Sequence, residues 1–175
     1  MKLFLLLMMM GSYLHADEFT LASDTAKTTL TKTEEFNGFG CNGENRSPEL
    51  HWANAPKESK SFALTLFDPD APTGHGWWHW IVVNIPSNVT RLPQDASARK
   101  LLPDGAVETI TDFGKPGFGG PCPPKGDKPH RYIFTIYALD TERLDVTPQT
   151  PIATVVDQIK QHAIASASLT TYYGR

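Results

Sequence analysis

Two short segments hold the residues best equipped for chemistry. The first is Asp68-Pro69-Asp70-Ala71-Pro72, followed by Trp77-Trp78-His79-Trp80. The second is Gly119-Gly120-Pro121-Cys122-Pro123-Pro124-Lys125-Gly126, followed by His130-Arg131-Tyr132. Each sets stiff Pro/Gly backbone beside groups that grip an anion: imidazole, phenol hydroxyl and backbone N–H. Proline fixes φ and restricts the residue before it, so Asp68 and Asp70 belong to a rigid loop. There, one carboxylate orients a histidine or a ligand hydroxyl and the other braces the loop. Read alone, the same residues make an ordinary Asp-Pro turn with two solvated acids. Alternation along the following strand puts Trp78 and Trp80 on one face, and Trp77 and His79 on the other. The first pair then serves the core, and the second lines a site. His130 and Tyr132 are two apart on a strand and face the same way, toward a glycine-rich loop whose N–H groups can converge on an anion. Arg131 faces away and suits an ion pair with an aspartate of the first loop.

Other chemistries fit less well. His75 and His79 have the four-residue spacing of a helical zinc site, with Asp68, Asp70, Cys122 and His130 as further ligands. Glycines and tryptophans surround the pair, so helical geometry is absent and no metal is expected. No Gly-x-Ser-x-Gly elbow occurs. Cys122 beside His130 resembles a thiol–imidazole pair, but prolines flank the cysteine. Two carboxylates two residues apart do not oppose each other across a cleft as in a glycosidase.

The elements that position these groups are mostly strands. Ser61 to Phe67 alternates, Trp80 to Ile85 is more continuously apolar, and Arg131 to Leu139 is rich in aromatic and β-branched residues. Weaker strands are expected at 19–21, 50–52 and 107–111. One helix is expected over Pro151 to His162, with Thr150 as N-cap, Pro151 in the first turn and Val155, Val156 and Ile159 as its apolar stripe. Beyond it, Ala163, Ala165, Ala167, Leu169, Thr171 and Tyr173 share one side of a last strand, although alanine equally suits a continued helix. Residues 103–105 and 114–126 are loops rather than linkers. The pattern reads as an antiparallel sandwich.

Composition narrows the function. Lys2, the apolar run Leu3 to Met10 and the Ala16-ended segment read as a signal peptide over residues 1–16, too short to span a bilayer. Residues 17–175 then form one domain, without a transmembrane anchor, in the periplasm or outside the cell. Without Lys2 the chain has fifteen bases against nineteen acids, a net charge of −4. Nucleic-acid binding wants a basic surface, so it is not expected. Two cysteines in an oxidising compartment favour a Cys41–Cys122 disulfide over two thiols.

The paired signature resembles the phosphatidylethanolamine-binding protein family, and within it the bacterial Raf-kinase-inhibitor-like branch. Supporting matches are Phe39-Gly40-Cys41-Asn42-Gly43, Asn45 to Pro48, and Tyr132 to Asp140. The resemblance implies an all-β fold with few helices, an antiparallel Greek-key β-sandwich, and a pocket for a phosphorylated or carboxylated group. Its residues would be Asp68, Asp70, Pro72, Trp77, His79, His130 and Tyr132, with Cys122 contributing a backbone N–H. No catalytic residue and no cofactor are expected. The leading function is non-enzymatic binding of a small anion. The alternatives are an inhibitor or interaction module of protease or kinase type acting through the pocket rim, and a weak hydrolase using His79, His130 and an aspartate. A protein partner and a homodimer are left open. Imidazole titrates near pH 6.5 when unperturbed, so acidification should strengthen phosphate binding.

Overall fold

The computed structural model describes residues 17–175. The expected signal segment lies outside the described residues. Ten strands and one helix follow in order: β1 (Thr20–Ala22), β2 (Asn37–Gly38), β3 (Cys41–Asn42), β4 (Leu50–Ala53), β5 (Ser61–Asp68), β6 (Trp77–Pro86), β7 (Arg91–Leu92), β8 (Val107–Glu108), β9 (His130–Leu139), α1 (Ile152–His162) and β10 (Ala163–Tyr173). The main sheet runs β10-β9-β5-β6-β8, a second runs β1-β4-β7, and β2 pairs with β3. Every strand pairing is antiparallel. The fold is therefore all-β, with a single helix among the described residues.

The central strand β5 is buried along nearly its whole length, because both faces of the main sheet are covered. On one face Phe62, Leu64 and Leu66 join Trp80, Val82, Tyr132, Phe134 and Ile136 against Leu21, Leu50, Trp52 and Leu92 of the smaller sheet. On the other, Ala63, Ile81, Val83 and Leu139 meet Leu144 and the helix residues Val155 and Ile159. Removing apolar surface from water on both sides is the main force holding the sheet together. It also explains why Trp80 to Ile85 is apolar at every position but Asn84.

Two irregularities in β6 matter. Leu66 pairs with Trp80 but Phe67 pairs with Trp78, so His79 is an extra residue in the strand. This bulge resets the alternation. Trp80 joins the face toward the small sheet, whereas Trp78 packs toward the helix side, its ring 4.5 Å from that of Phe67. The expectation that Trp78 and Trp80 share a face therefore fails. A second bulge holds Asn84 at φ 59°, where its side chain accepts the Leu144 N–H and donates to the Leu144 carbonyl.

The helix starts one residue later than expected. Pro151, not Thr150, occupies the capping position, and no side chain caps the first turn. Thr150 instead accepts the Thr147 N–H in the preceding turn. After His162 the chain enters β10, which pairs with β9 along its length. Residues 163, 165, 167, 169, 171 and 173 are its sheltered side, as the alternation implies. Alanine's helical preference is overridden because β9 offers a full ladder of backbone partners. Residues 107–111 yield only the two-residue β8 and an isolated bridge between Ile110 and Pro116.

Candidate functional site

Asp68 ends β5 and Asp70 begins the loop after it. Asp68 is buried. Its Oδ1 accepts the Asp70 N–H at 2.8 Å, and its Oδ2 accepts from His130 Nδ1 at 2.8 Å. The Tyr132 hydroxyl lies beside the same carboxylate. Burial first, and then the negative Asp68, push the Tyr132 phenol well above its usual range. Tyr132 thus remains a neutral hydroxyl, as the strand pattern of β9 places it beside His130. Its ring is also fully buried within the core, so one residue serves both packing and site.

Asp70 turns away from this cluster. It grips the exposed edge of Arg131, with Oδ2 taking the Arg131 backbone N–H at 2.8 Å and Nε at 2.9 Å, and Oδ1 taking Nη2 at 2.7 Å. The guanidinium hydrogen bonds hold the Asp70 carboxyl down at about 2. Such a bidentate pair fixes the orientation of both partners. It clips the Asp-Pro loop to the start of β9, so Asp68 and His130 meet. Asp70 is a brace rather than a cavity wall.

His79 is buried. Its Nδ1 lies 2.7 Å from the Gly119 carbonyl, an acceptor, so Nδ1 carries the hydrogen and Nε2 carries the lone pair. Burial depresses the imidazole to about 4, against the smaller opposing pull of the Gly119 bond and the Asp68 charge. His79 is therefore neutral near neutral pH, contrary to the charge expected for an unperturbed imidazole. Its ring meets Tyr132 edge-on at 5.2 Å and Phe113 at 5.4 Å. Trp77 packs edge-on against Phe113 at 5.6 Å.

The glycine-rich loop spends most of its N–H groups on its own fold. Gly119 donates to the His79 carbonyl at 2.9 Å, and Gly120 donates to Asn45 Oδ1 at 2.7 Å. Glycine is obligatory at 120: a Cβ would lie 1.7 Å from the Glu34 carbonyl oxygen. Prolines 121, 123 and 124 carry no N–H, which leaves the Cys122 N–H as the donor of this loop beside the cavity. Cys122 is bonded to Cys41, with Cα atoms 6.0 Å apart. The bridge ties the loop to the β2–β3 hairpin, whose tip carries Phe39 at φ 54°. Arg175 joins the same two segments, donating to the Gly40 and Pro123 carbonyls at 2.8 and 2.7 Å. Beneath the hairpin the buried Glu35 accepts from Lys32, the Asn42 N–H and the Tyr173 hydroxyl. Burial alone would raise its carboxyl, but these hydrogen bonds outweigh it and hold the group below its usual range.

A cavity of about 200 Å³ opens among these parts. Asp68, Pro72, Trp77, His79, Cys122, His130 and Tyr132 all line it. Asp70 alone of the expected set does not. Phe39, Phe113, Ala71, Thr73, Pro123 and Pro124 complete the wall. Phe113 and Phe39 went unread in the sequence. An aromatic residue isolated in a Gly/Pro loop was the available signal for Phe113. The cavity wall is more aromatic than polar, and no lysine or arginine lines it. His75 lies elsewhere, in a shallow cleft with Trp78 and Asp112, so it cannot share a ligand with His79 in the cavity. Among the described residues, Asp24, Glu49 and His51 come within metal-ligating distance of one another on the smaller sheet. There the Arg91 guanidinium already neutralises Glu49 at 2.9 Å.

The comparisons agree with this architecture. The family model for phosphatidylethanolamine-binding protein matches residues 25–174. YbcL of Escherichia coli K12 is 51% identical over 162 residues, covering 90% of this chain and 88% of its own. YbhB of the same organism is 51% identical over 139 residues, 79% of this chain and 87% of its own. The crystal structure of E. coli YbcL, described as a new member of the mammalian PEBP family, superposes with a TM-score of 0.88 over 91% of this chain and 99% of that one. A phosphatidylethanolamine-binding protein homologue of Chlamydia trachomatis, 31% identical, gives 0.75 over 90% and 97%. A family match over residues 25–174, relatives at 51% identity and a superposition at a TM-score of 0.88 leave one assignment: the chain belongs to the phosphatidylethanolamine-binding protein family.

Proposed function

We propose that this protein is an exported, non-enzymatic binding module whose cavity takes a small phosphorylated or carboxylated group. The observation that carries the reading is the convergence of His79, His130 and Tyr132 on one aromatic-walled cavity, held by Asp68. Three polar groups on rigid strands give orientation, and the rings exclude water from around them. Asp68 holds His130 by a hydrogen bond of 2.8 Å.

Calorimetric titration with inorganic phosphate, phosphoethanolamine and acetate tests the reading. Wild-type protein should bind at least one, and His79→Ala combined with Tyr132→Phe should weaken it at least tenfold while circular dichroism shows an intact fold. No binding by wild type, or equal binding by both proteins, refutes it. Histidine-dependent turnover of a phosphate or acyl ester would replace binding with hydrolysis. Export is tested by N-terminal sequencing of the periplasmic and secreted fractions. A mature chain beginning after Ala16 supports it, and a chain retaining Met1 in the cytosol rejects it. Phe39 favours a second reading, a protein contact through the rim, because this phenyl ring is 72% exposed at the cavity mouth.

A further inference from the structure

The balance of donors and acceptors in the cavity specifies its occupant more narrowly. An anion stripped of all protons needs donors or fixed cations. Neither lysine nor arginine lines the cavity, and the nearby Arg131 fork is committed to Asp70. His79 Nδ1–H is committed to Gly119, so Nε2 presents a lone pair. The Tyr132 hydroxyl stays protonated beside the negative Asp68, which draws its hydrogen away from the ligand and turns lone pairs toward the cavity. His130 Nδ1–H is committed to Asp68, and its Nε2 lies 3.7 Å from Asp127 Oδ2. The charged groups facing His79 and His130 are Asp68 on β5, Asp127 before β9, and Asp112, whose Oδ2 accepts the Trp78 N–H at 2.7 Å. All three are acids. The local field therefore draws in protons and repels bare negative charge.

We propose that the cavity selects oxyacids that retain an ionisable hydrogen, namely phosphate monoesters as monoanions and carboxylic acids, and rejects isosteric anions that have none, such as sulfate esters. The P–OH or COOH hydrogen is donated to His79 Nε2, and an oxygen of the ligand accepts the Cys122 N–H. No bond is made or broken beyond these hydrogen bonds. The inference rests on the anion-binding reading above and adds a protonation requirement to it. A sulfate ester of the same shape brings lone pairs against lone pairs. A buried acceptor left unsatisfied in this way is expensive, and sites built around one polar match discriminate by a large factor.

Methyl phosphate and methyl sulfate separate the two cases at equal size, since the dianion of a phosphate monoester takes up one proton near pH 6 and a sulfate ester takes up none in the working range. At pH 5.5, calorimetry should give methyl phosphate at least a tenfold advantage over methyl sulfate. The advantage should fall severalfold by pH 8, where the phosphate loses its hydrogen. Dimethyl phosphate, the phosphodiester form of a lipid head group, should behave like methyl sulfate. In His79→Gln, whose carboxamide offers an N–H donor, the preference for methyl phosphate should shrink at pH 5.5. Equal affinities of the two esters at pH 5.5, or a preference independent of pH and of His79, overturn the protonation requirement while leaving anion binding intact. Failure of methyl phosphate, inorganic phosphate and acetate alike overturns both.

Discussion

Acidification should destabilise this protein through His79, and substitution of that residue isolates its share. His79 is held near 4 when folded and returns to about 6.5 when unfolded. The folded value is the lower one, so the unfolded chain binds the extra proton and stability falls as pH drops below 6.5. The loss saturates once pH passes the folded value. For a single site, linkage gives about 2 kcal/mol lost between pH 7 and pH 5. In a domain of this size that corresponds to a fall in Tm of roughly 4–8 °C. The other depressed acids act lower: Asp70 loses its stabilising pair only as pH falls from its usual 3.8 toward about 2, and Glu35 only below its usual 4.5. Thermal unfolding at pH 7, 6 and 5, followed by near-UV circular dichroism, reads the effect. His79→Gln removes the titrating ring and should flatten the profile by the same amount, whatever its absolute stability. NMR titration of the ligand-free protein reports the ring directly. Parallel pH profiles for wild type and variant, or a His79 resonance titrating above pH 6, would refute the argument from burial.

Three further outcomes follow from the geometry. Gly120→Ala drives a methyl group into the Glu34 carbonyl, 1.7 Å away at the Cβ, and should cost more than about 4 kcal/mol or abolish soluble expression; a soluble variant with wild-type Tm would show that the turn yields freely. Reducing the Cys41–Cys122 bridge, which closes an 81-residue separation, should cost at most about 4–5 kcal/mol by the chain-entropy model, with both thiols then alkylatable by mass; an unchanged Tm after verified reduction contradicts it. Asp70→Asn should loosen the 68–72 loop and weaken ligand binding by a smaller factor than His79→Ala, because it removes a brace and no cavity wall; an effect equal to that of His79→Ala would place Asp70 in the site.

The parts of the fold legible in the sequence are those governed by burial over several residues. β5, β6 and β9 announce themselves because each places consecutive apolar or aromatic side chains against a covered sheet. The last strand was ambiguous for a physical reason: Ala163, Ala165 and Ala167 satisfy the alternation of a strand and the propensity of a helix, and only the ladder with β9 decides. The two-residue strands β2 and β3 carry no periodicity, and their position depends on the disulfide and on Glu35. The bulge at His79 could not be read either. It inserts no glycine and changes no composition, yet it separates Trp78 from Trp80. For the site, the paired signature located the residues, and the strand period correctly put His130 beside Tyr132. The division of labour between Asp68 and Asp70 was not written in their types. It follows from Arg131, which is free to reach Asp70 but not the buried Asp68.

That bulge is the step at which packing becomes chemistry. In an uninterrupted strand, Trp80 on the core face would force His79 to the helix side, away from Tyr132. The extra residue lets both side chains occupy one side, so the imidazole stands at the mouth of the core with Tyr132 beneath it. The position has a consequence. A ring buried among Phe113, Tyr132 and the Gly119 carbonyl cannot hold a charge of its own near neutral pH. Its remaining nitrogen can only accept. Asp68, with its oxygens taken by the Asp70 N–H and His130, keeps the neighbouring donors occupied as well. The same hydrogen bonds that make a buried polar cluster tolerable in the fold therefore use up the donors that a bare anion would need. What is left at the cavity is an acceptor, a backbone N–H and a ring-lined wall. This arrangement suits a small acid entering with its proton and makes His79 the residue on which both the acid stability of the fold and the selectivity of the pocket turn.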